Sequence, residues 1–210
     1  MDHILLVCGL VAGPFFILVF VLEGMFRPGY QSLRQPVSAL AMGPRGWIQR
    51  ANFFVTGALV LAYALSLLTA VVMYGGSFWA PLFIGIYGLG LIGSGIYSTD
   101  VTGLANEQRQ SQQRTRDGLL HDLFAVPVMG GLVGACMVLG KLFYRASEWG
   151  WAWYSFVSGM LFLILFLLSG VGFAGGTKIA RFAGLLQRSA ILIGWSWLSL
   201  SAAHLRTMVQ

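Results

Sequence analysis

Six apolar runs of about 20 residues, separated by short polar segments, leave this 210-residue chain few folds to choose from. A helix rises about 1.5 Å per residue, so 20 such residues reach across the roughly 30 Å hydrocarbon core of a bilayer. The runs lie at 4–24, 51–74, 79–98, 119–143, 151–174 and 185–205. With 57% hydrophobic residues, 10% charged residues and a mean hydropathy of +0.77, no soluble core of this size hides so much apolar surface. The expected architecture is all-α: a polytopic integral membrane protein forming a single domain over 1–210. It is a six-transmembrane-helix bundle with a short interfacial amphipathic helix after helix one. The first run follows Asp2 and His3 rather than a basic segment and exceeds the length of a signal-peptide core, so it is expected to remain as a helix.

Charge then distinguishes the two membrane faces. Loops after runs one, three and five carry Arg27, Arg34, Arg45, Arg50, Arg109, Arg114, Arg116, Lys178, Arg181 and Arg188, against Lys141, Arg145 and Arg206 on the other face. The net charge of +6 is thus spread over short inter-helix loops, which suits lipid headgroups and excludes a nucleic-acid-binding domain. Read by the positive-inside rule, the basic face is cytoplasmic and both termini are outside. Cys8 and Cys136 fall inside apolar runs without partners at metal-ligand spacing, so neither a disulfide framework nor a zinc site is expected. The spans hold no phosphate-binding loop, dinucleotide fingerprint, metalloprotease helix or paired-histidine haem pattern, and no cofactor is called for.

The loops differ in kind as well as in charge. Residues 75–78 and "YRASEWG" are minimal connectors, and Trp149, Trp151 and Trp153 mark an interfacial belt beside the latter. On the basic face, "NEQRQSQQRTRD" has no apolar period and reads as a mobile polar segment. The first loop, in "RPGYQSLRQPVSALAMGPRGWIQRANF", is more organised: Pro28-Gly29 ends one helix, and Gly43-Pro44 stops a second pattern. Between them Leu33, Val37, Leu40 and Ala41 fall at near-helical spacing, which predicts a short amphipathic piece over the end of the bundle, with Trp47 as anchor. Leu33, Val37 and Leu40 are expected to be buried, with Arg34 pointing to water, phosphate or the pocket. Glycines at 9 and 13, 85–95, 130 and 134, and 172 and 176 predict close helix packing.

Polar residues gather at the basic face: Glu23, Gln49, Asn52, Asp100, Asp117, His121, Asp122, Gln187 and Arg188. Ionisable groups at membrane depth are costly and mark a protein interior or a water-filled cavity. His121 lies one turn after Asp117 and near Asp100 in the topology, so a carboxylate could orient its ring for acid–base work. A structural His–Asp hydrogen bond and a metal ligand are the other readings. Arg27, Arg34 and Arg188 either snorkel to phosphates or clamp an anionic head. Ser38 is a helix residue or cap unless a base stands beside it; no nucleophile-elbow pattern surrounds it.

The opening motif of the first loop, "YSTD" closing run three, "GLLHDLFA" opening run four and "GLLQRSAILIGWSWL" in run six together resemble the prokaryotic multi-pass membrane family DUF-998 over nearly the whole chain. The resemblance implies that Arg27, Pro28, Gly29, Tyr30, Ser38, Asp100, His121, Gln187 and Arg188 are recurrent polar positions. It implies a prokaryotic inner or plasma membrane location and an orientation opposite to the one the charges give. The chain departs from the family pattern at Asp100-Val101, where Asp-Pro is usual.

These readings converge on a polar pocket at the basic face that recognises or processes a lipid-like or anionic amphipathic ligand. Asp100 and His121 are its candidate acid–base pair, and Arg27, Tyr30, Arg34, Ser38, Gln187 and Arg188 its candidate ligand contacts. Membrane lipids are the expected partners, nucleic acid is not, and self-association is left open. Two rivals remain: a small transporter or proton-coupled permease, and a non-catalytic assembly partner. A transporter should carry polar groups near mid-bilayer, where these spans are almost wholly apolar.

Overall fold

The computed structural model describes residues 3–74, 77–100 and 114–208. Most of the Gln-rich stretch, with Arg109 and Val101, lies outside them. Six α-helices appear among the described residues: α1 (His3–Phe26), α2 (Gly46–Tyr74), α3 (Trp79–Ile96), α4 (Arg116–Arg145), α5 (Trp149–Ala174) and α6 (Ala183–Met208). No strand occurs among the described residues. Five helices, α1 to α5, are long and apolar enough to cross a membrane, so the chain is a multi-pass membrane protein. The sixth is 26 residues long but does not meet that criterion. Gln187, Arg188 and four serines dilute its apolar content, and Ser199 and Ser201 are buried.

Each helix packs on its neighbours in sequence, and α6 closes the ring on α1. Small residues allow these approaches, because lipid supplies no hydrophobic force between helices and van der Waals contact must do so. A Cβ on Gly57 would lie 2.9 Å from the Gly88 carbonyl oxygen, and one on Gly131 would lie 2.6 Å from the Tyr87 nitrogen. Of the predicted packing glycines, Gly9, Gly13, Gly134 and Gly172 abut neighbours, whereas Gly130 and Gly176 face open space. Gly176 (φ 74°) instead belongs to the turn after α5.

Inside the ring Phe16, Phe53, Tyr87 and Trp195 form an aromatic layer. Trp195 lies 5.2 Å from Phe16 and 5.3 Å from Tyr87, and Phe16 lies 5.5 Å from Phe53, all between ring centroids. Trp195 is buried, and Leu132 and Phe162 press on the adjacent Gly194.

In the first loop a five-residue 3-10 helix, Val37–Ala41, stands where the sequence predicts an interfacial amphipathic helix. Val37, Ala39, Leu40 and Ala41 are buried, so the turn is set into the bundle end rather than laid on it. Leu33, expected to share that buried face, is 55% exposed. The chain has a turn at Gln31–Gln35, where Arg34 and Gln35 N–H groups return to the Gln31 carbonyl, and this separates Leu33 from the later register. Arg34 is exposed, as predicted.

Candidate functional site

Three side-chain clusters organise the basic end. In the first, Glu23 is only 3% exposed and sits between two arginines. Arg27 donates to its Oε1 through Nε (2.9 Å) and Nη2 (2.7 Å), and Arg45 donates to Oε2 (2.6 Å). Arg27 also donates to the carbonyls of Leu40 (2.9 Å) and Met42 (2.7 Å). Its guanidinium therefore fastens the 3-10 turn to α1, and the glutamate neutralises it.

In the second cluster Arg188 on α6 donates to the carbonyls of Ser32, Gln35 (3.0 Å) and Gly184 (2.9 Å) and to the Tyr30 hydroxyl. Tyr30 in turn donates its hydroxyl hydrogen bond to the Pro36 carbonyl (2.9 Å), and burial raises its pKa above the usual value against the opposing pull of Arg188. Gln187 Oε1 accepts the Val37 N–H (2.8 Å). The loop lies so close to α6 that a Cβ on Gly184 would come within 2.6 Å of the Gln35 carbonyl oxygen. Arg27 and Arg188, candidate ligand clamps by sequence, are thus spent on the loop's own carbonyls. A chain leaving helical structure without sheet pairing must place its carbonyls somewhere, and guanidinium forks take them.

The third cluster joins α3 to α4. Thr115 donates to Asp100 through its hydroxyl (2.6 Å, Oδ1) and its N–H (3.1 Å, Oδ2), while its Oγ1 caps α4 by accepting the Gly118 N–H (3.0 Å). His121, 7% exposed, bonds through Nδ1 to the Tyr97 carbonyl (3.0 Å). A carbonyl only accepts, so Nδ1 carries the proton and Nε2 holds the lone pair in the neutral ring. Among the described residues no hydrogen bond joins His121 to Asp100 or Asp117; the expected carboxylate orienter is replaced by a backbone carbonyl. Asp100 is held instead by the helix cap, whose glycine at 118 leaves room for the carboxylate.

These clusters border a cavity of about 1250 Å³. Ser38, Asp100, His121 and Gln187 lie in its wall; Arg27, Tyr30, Arg34 and Arg188 do not. At the mouth stand Arg50, Arg114, Arg116, Asp117 and Asp122, with Arg114 paired to Asp122. Arg50 donates to the carbonyls of Gly95 (3.0 Å) and Ile96 (2.7 Å), closing the end of α3. Deeper, the wall is mainly apolar, with the Ser94 and Ser169 hydroxyls as exceptions: Leu91, Val128, Phe162, Phe166 and Ile191 lead to the layer of Phe16, Tyr87 and Trp195. From Arg116 to Val128 the α4 wall runs about 18 Å along the helix, roughly half of a bilayer core. The cavity is polar at one end, apolar at the other, and floored by aromatics.

Sequence reasoning missed the floor and two of the mouth arginines' roles. Phe16, Tyr87 and Trp195 look like ordinary apolar residues until their helices are arranged. Thr115 could have been found, since a threonine before an acidic first turn is an N-cap signature. At the opposite end, Glu148 pairs with His204, whose ring stacks on Trp151 at 4.2 Å. No group of three or more His, Cys, Asp or Glu side chains capable of holding a metal occurs among the described residues.

No curated protein and no solved structure matches the chain. The family model described as "Protein of unknown function (DUF998)" matches residues 10–204, all but the first turns of α1 and the last residues of α6. With that match covering the helices, the loop and the whole cavity wall, the chain belongs to the DUF998 family.

Proposed function

We infer that the protein holds a lipid-like amphiphile in this cavity, head at the mouth and tail against the aromatic floor. The observation that carries the reading is the cavity's division into a charged mouth and an apolar depth of membrane scale. Arg116 suits a phosphate or carboxylate, and Asp100 and Asp117 suit an amine or hydroxyl on the same head. In this reading α6 crosses as the sixth span, its polar face turned to the cavity and loop, and the 3-10 turn serves as a fixed lid. The aromatic layer argues against the rival reading of a transporter, since it leaves no polar path beyond the floor.

The test is native mass spectrometry of the full chain purified in a lipid-free detergent. One phospholipid per chain is expected to survive purification, and Arg116→Glu is expected to weaken re-binding of phosphatidylglycerol up to about fivefold, the scale of one exposed charge contact. Arg116 has no hydrogen bond or ion pair among the described residues, so its reversal spares the fold. A chain that retains no lipid and binds none on re-addition would sink the reading.

Processing as well as holding would rest on His121, whose Nε2 is the one ring atom left to accept a proton. His121→Gln keeps a donor for the Tyr97 carbonyl but cannot shuttle a proton. The expected result is unchanged lipid retention and melting temperature with loss of any hydrolytic or transfer turnover of the bound lipid. Turnover at the parental rate would leave His121 as a pin between α3 and α4.

A further inference from the structure

The cavity wall is uneven between α4 and α5. From Gly131 onward the two helices interlock: a Cβ on Gly140 would lie 2.6 Å from Phe156, and one on Gly159 would lie 2.8 Å from Cys136. Leu132, Ala135, Cys136, Leu139 and Phe143 are all buried there. Before Gly131, the buried residues of α4 are Gly118 and His121, and both are directed at the end of α3, against Asp100 and Tyr97. Phe124 and Val128 likewise meet Gly93 and Gly90 of α3. The first half of α4 therefore stays with α3 and leaves α5.

On the facing half of α5, Gly170 is exposed and also lines the cavity, with nothing within 4 Å of where its Cβ would stand. Phe166 and Phe173, half-buried, line the cavity on either side of it, opposite Ala125 and Val128. A residue that is both wall and surface marks an opening. The rims are apolar and exposed: Val126 on α4, Leu167 and Val171 on α5. Gly170 is about 6 Å, and Phe166 about 12 Å, inside the α5 end, so the opening faces the hydrocarbon of a surrounding bilayer. Pro127 stands where α4 departs from α5. It has no N–H to return to the Leu123 carbonyl, so the helix lacks a rung at that joint and bends there at low cost.

We propose that the gap between the first half of α4 and the second half of α5 is a lateral portal, through which a membrane phospholipid slides its hydrocarbon chain into the cavity directly from the leaflet. The proposal rests on the lipid-binding reading above and adds the source and the route. A ligand arriving from water would have to draw its tail past Arg50, Arg116 and the Arg114–Asp122 pair; one arriving through the portal keeps its tail in apolar surroundings throughout.

The full chain in vesicles of phosphatidylethanolamine and phosphatidylglycerol, with a trace of phosphatidylglycerol bearing a diazirine in its acyl chain, provides the test. Brief irradiation and peptide mapping should place label on the inward residues Phe162, Val128 and Trp195. Gly170→Trp, built where a side chain meets open space, should remove that inward label several-fold. Gly130→Trp, equally free of clashes but outside the cavity wall, should leave it unchanged. A water-soluble short-chain diazirine analogue should still label the His121 region in Gly170→Trp, because the mouth remains open. Inward label that persists in Gly170→Trp would overturn the portal and leave the lipid site standing. Absence of inward label in the parent chain would overturn both, and loss of the short-chain label in Gly170→Trp would overturn the portal at Gly170, because the position would then lie within the cavity rather than at a side opening.

Discussion

Replacing Glu23 by Ala should destabilise the protein by about 3 kcal/mol, the range observed when one partner of a buried ion pair is removed. The carboxylate is 3% exposed, and its two oxygens take three hydrogen bonds, two from Arg27 and one from Arg45. Without it the Arg27 guanidinium, only 15% exposed, would remain beside the Leu40 and Met42 carbonyls with no counter-charge. Either the charge stays and is costly, or Arg27 swings out and strands the two carbonyls. Thermal unfolding in detergent measures the loss, and Glu23→Gln, which keeps an acceptor, should fall between parent and Ala. A melting temperature equal to the parent's would mean that water and headgroups neutralise Arg27 as well as Glu23 does.

Arg188→Met is the second large effect, expected at about 2–4 kcal/mol and felt first in the loop rather than in the helices. Methionine retains the apolar stem but abandons the Ser32, Gln35 and Gly184 carbonyls and the Tyr30 hydroxyl. Lysine should rescue little, because one ammonium cannot span acceptors that a planar fork reaches together. The readout is thiol accessibility of a Leu40→Cys reporter, since Leu40 is 0% exposed while the loop is seated. In the Arg188→Met background that cysteine should react with a water-soluble maleimide; continued protection would show that Gln187 and Arg27 hold the turn without Arg188.

Much of the fold is legible in the sequence because lipid leaves so few options. Runs of 20 or more apolar residues fix helices, and the observed ends differ from the expected spans by a few residues. The largest difference is at α2, which starts at Gly46 rather than Ala51 and so brings Gln49, which is buried, inside a helix. The sequence reading counts six crossings, whereas five helices are long and apolar enough to cross, because the polar residues of α6 lower its hydropathy. At the site, composition shows that arginines and carboxylates gather at one end but not which atoms they touch. Arg188 can clamp a ligand or a loop with the same fork, and only the nearness of α6 to Gln35 decides. His121 and Asp100 are close in topology, yet a Tyr97 carbonyl and a Thr115 hydroxyl, neither conspicuous in sequence, take their hydrogen bonds. The aromatic floor was illegible for a different reason. Phe16, Tyr87 and Trp195 come from three helices far apart in sequence, and nothing local marks them as neighbours.

The ring's closure by α6 has a consequence for the order of biosynthesis. Helices α1 to α5 can each settle on the one made before, as they leave the ribosome, but the chamber is unfinished at that stage. Trp195, which completes the floor, and Gln187 and Arg188, which hold the 3-10 turn and the loop before it, all arrive with α6. A nascent chain therefore carries the surfaces that become the cavity wall open to its surroundings until α6 has been made. On the proposed reading, a lipid seated against α1 to α5 before α6 is made is enclosed as the ring closes, so loading precedes closure rather than following it.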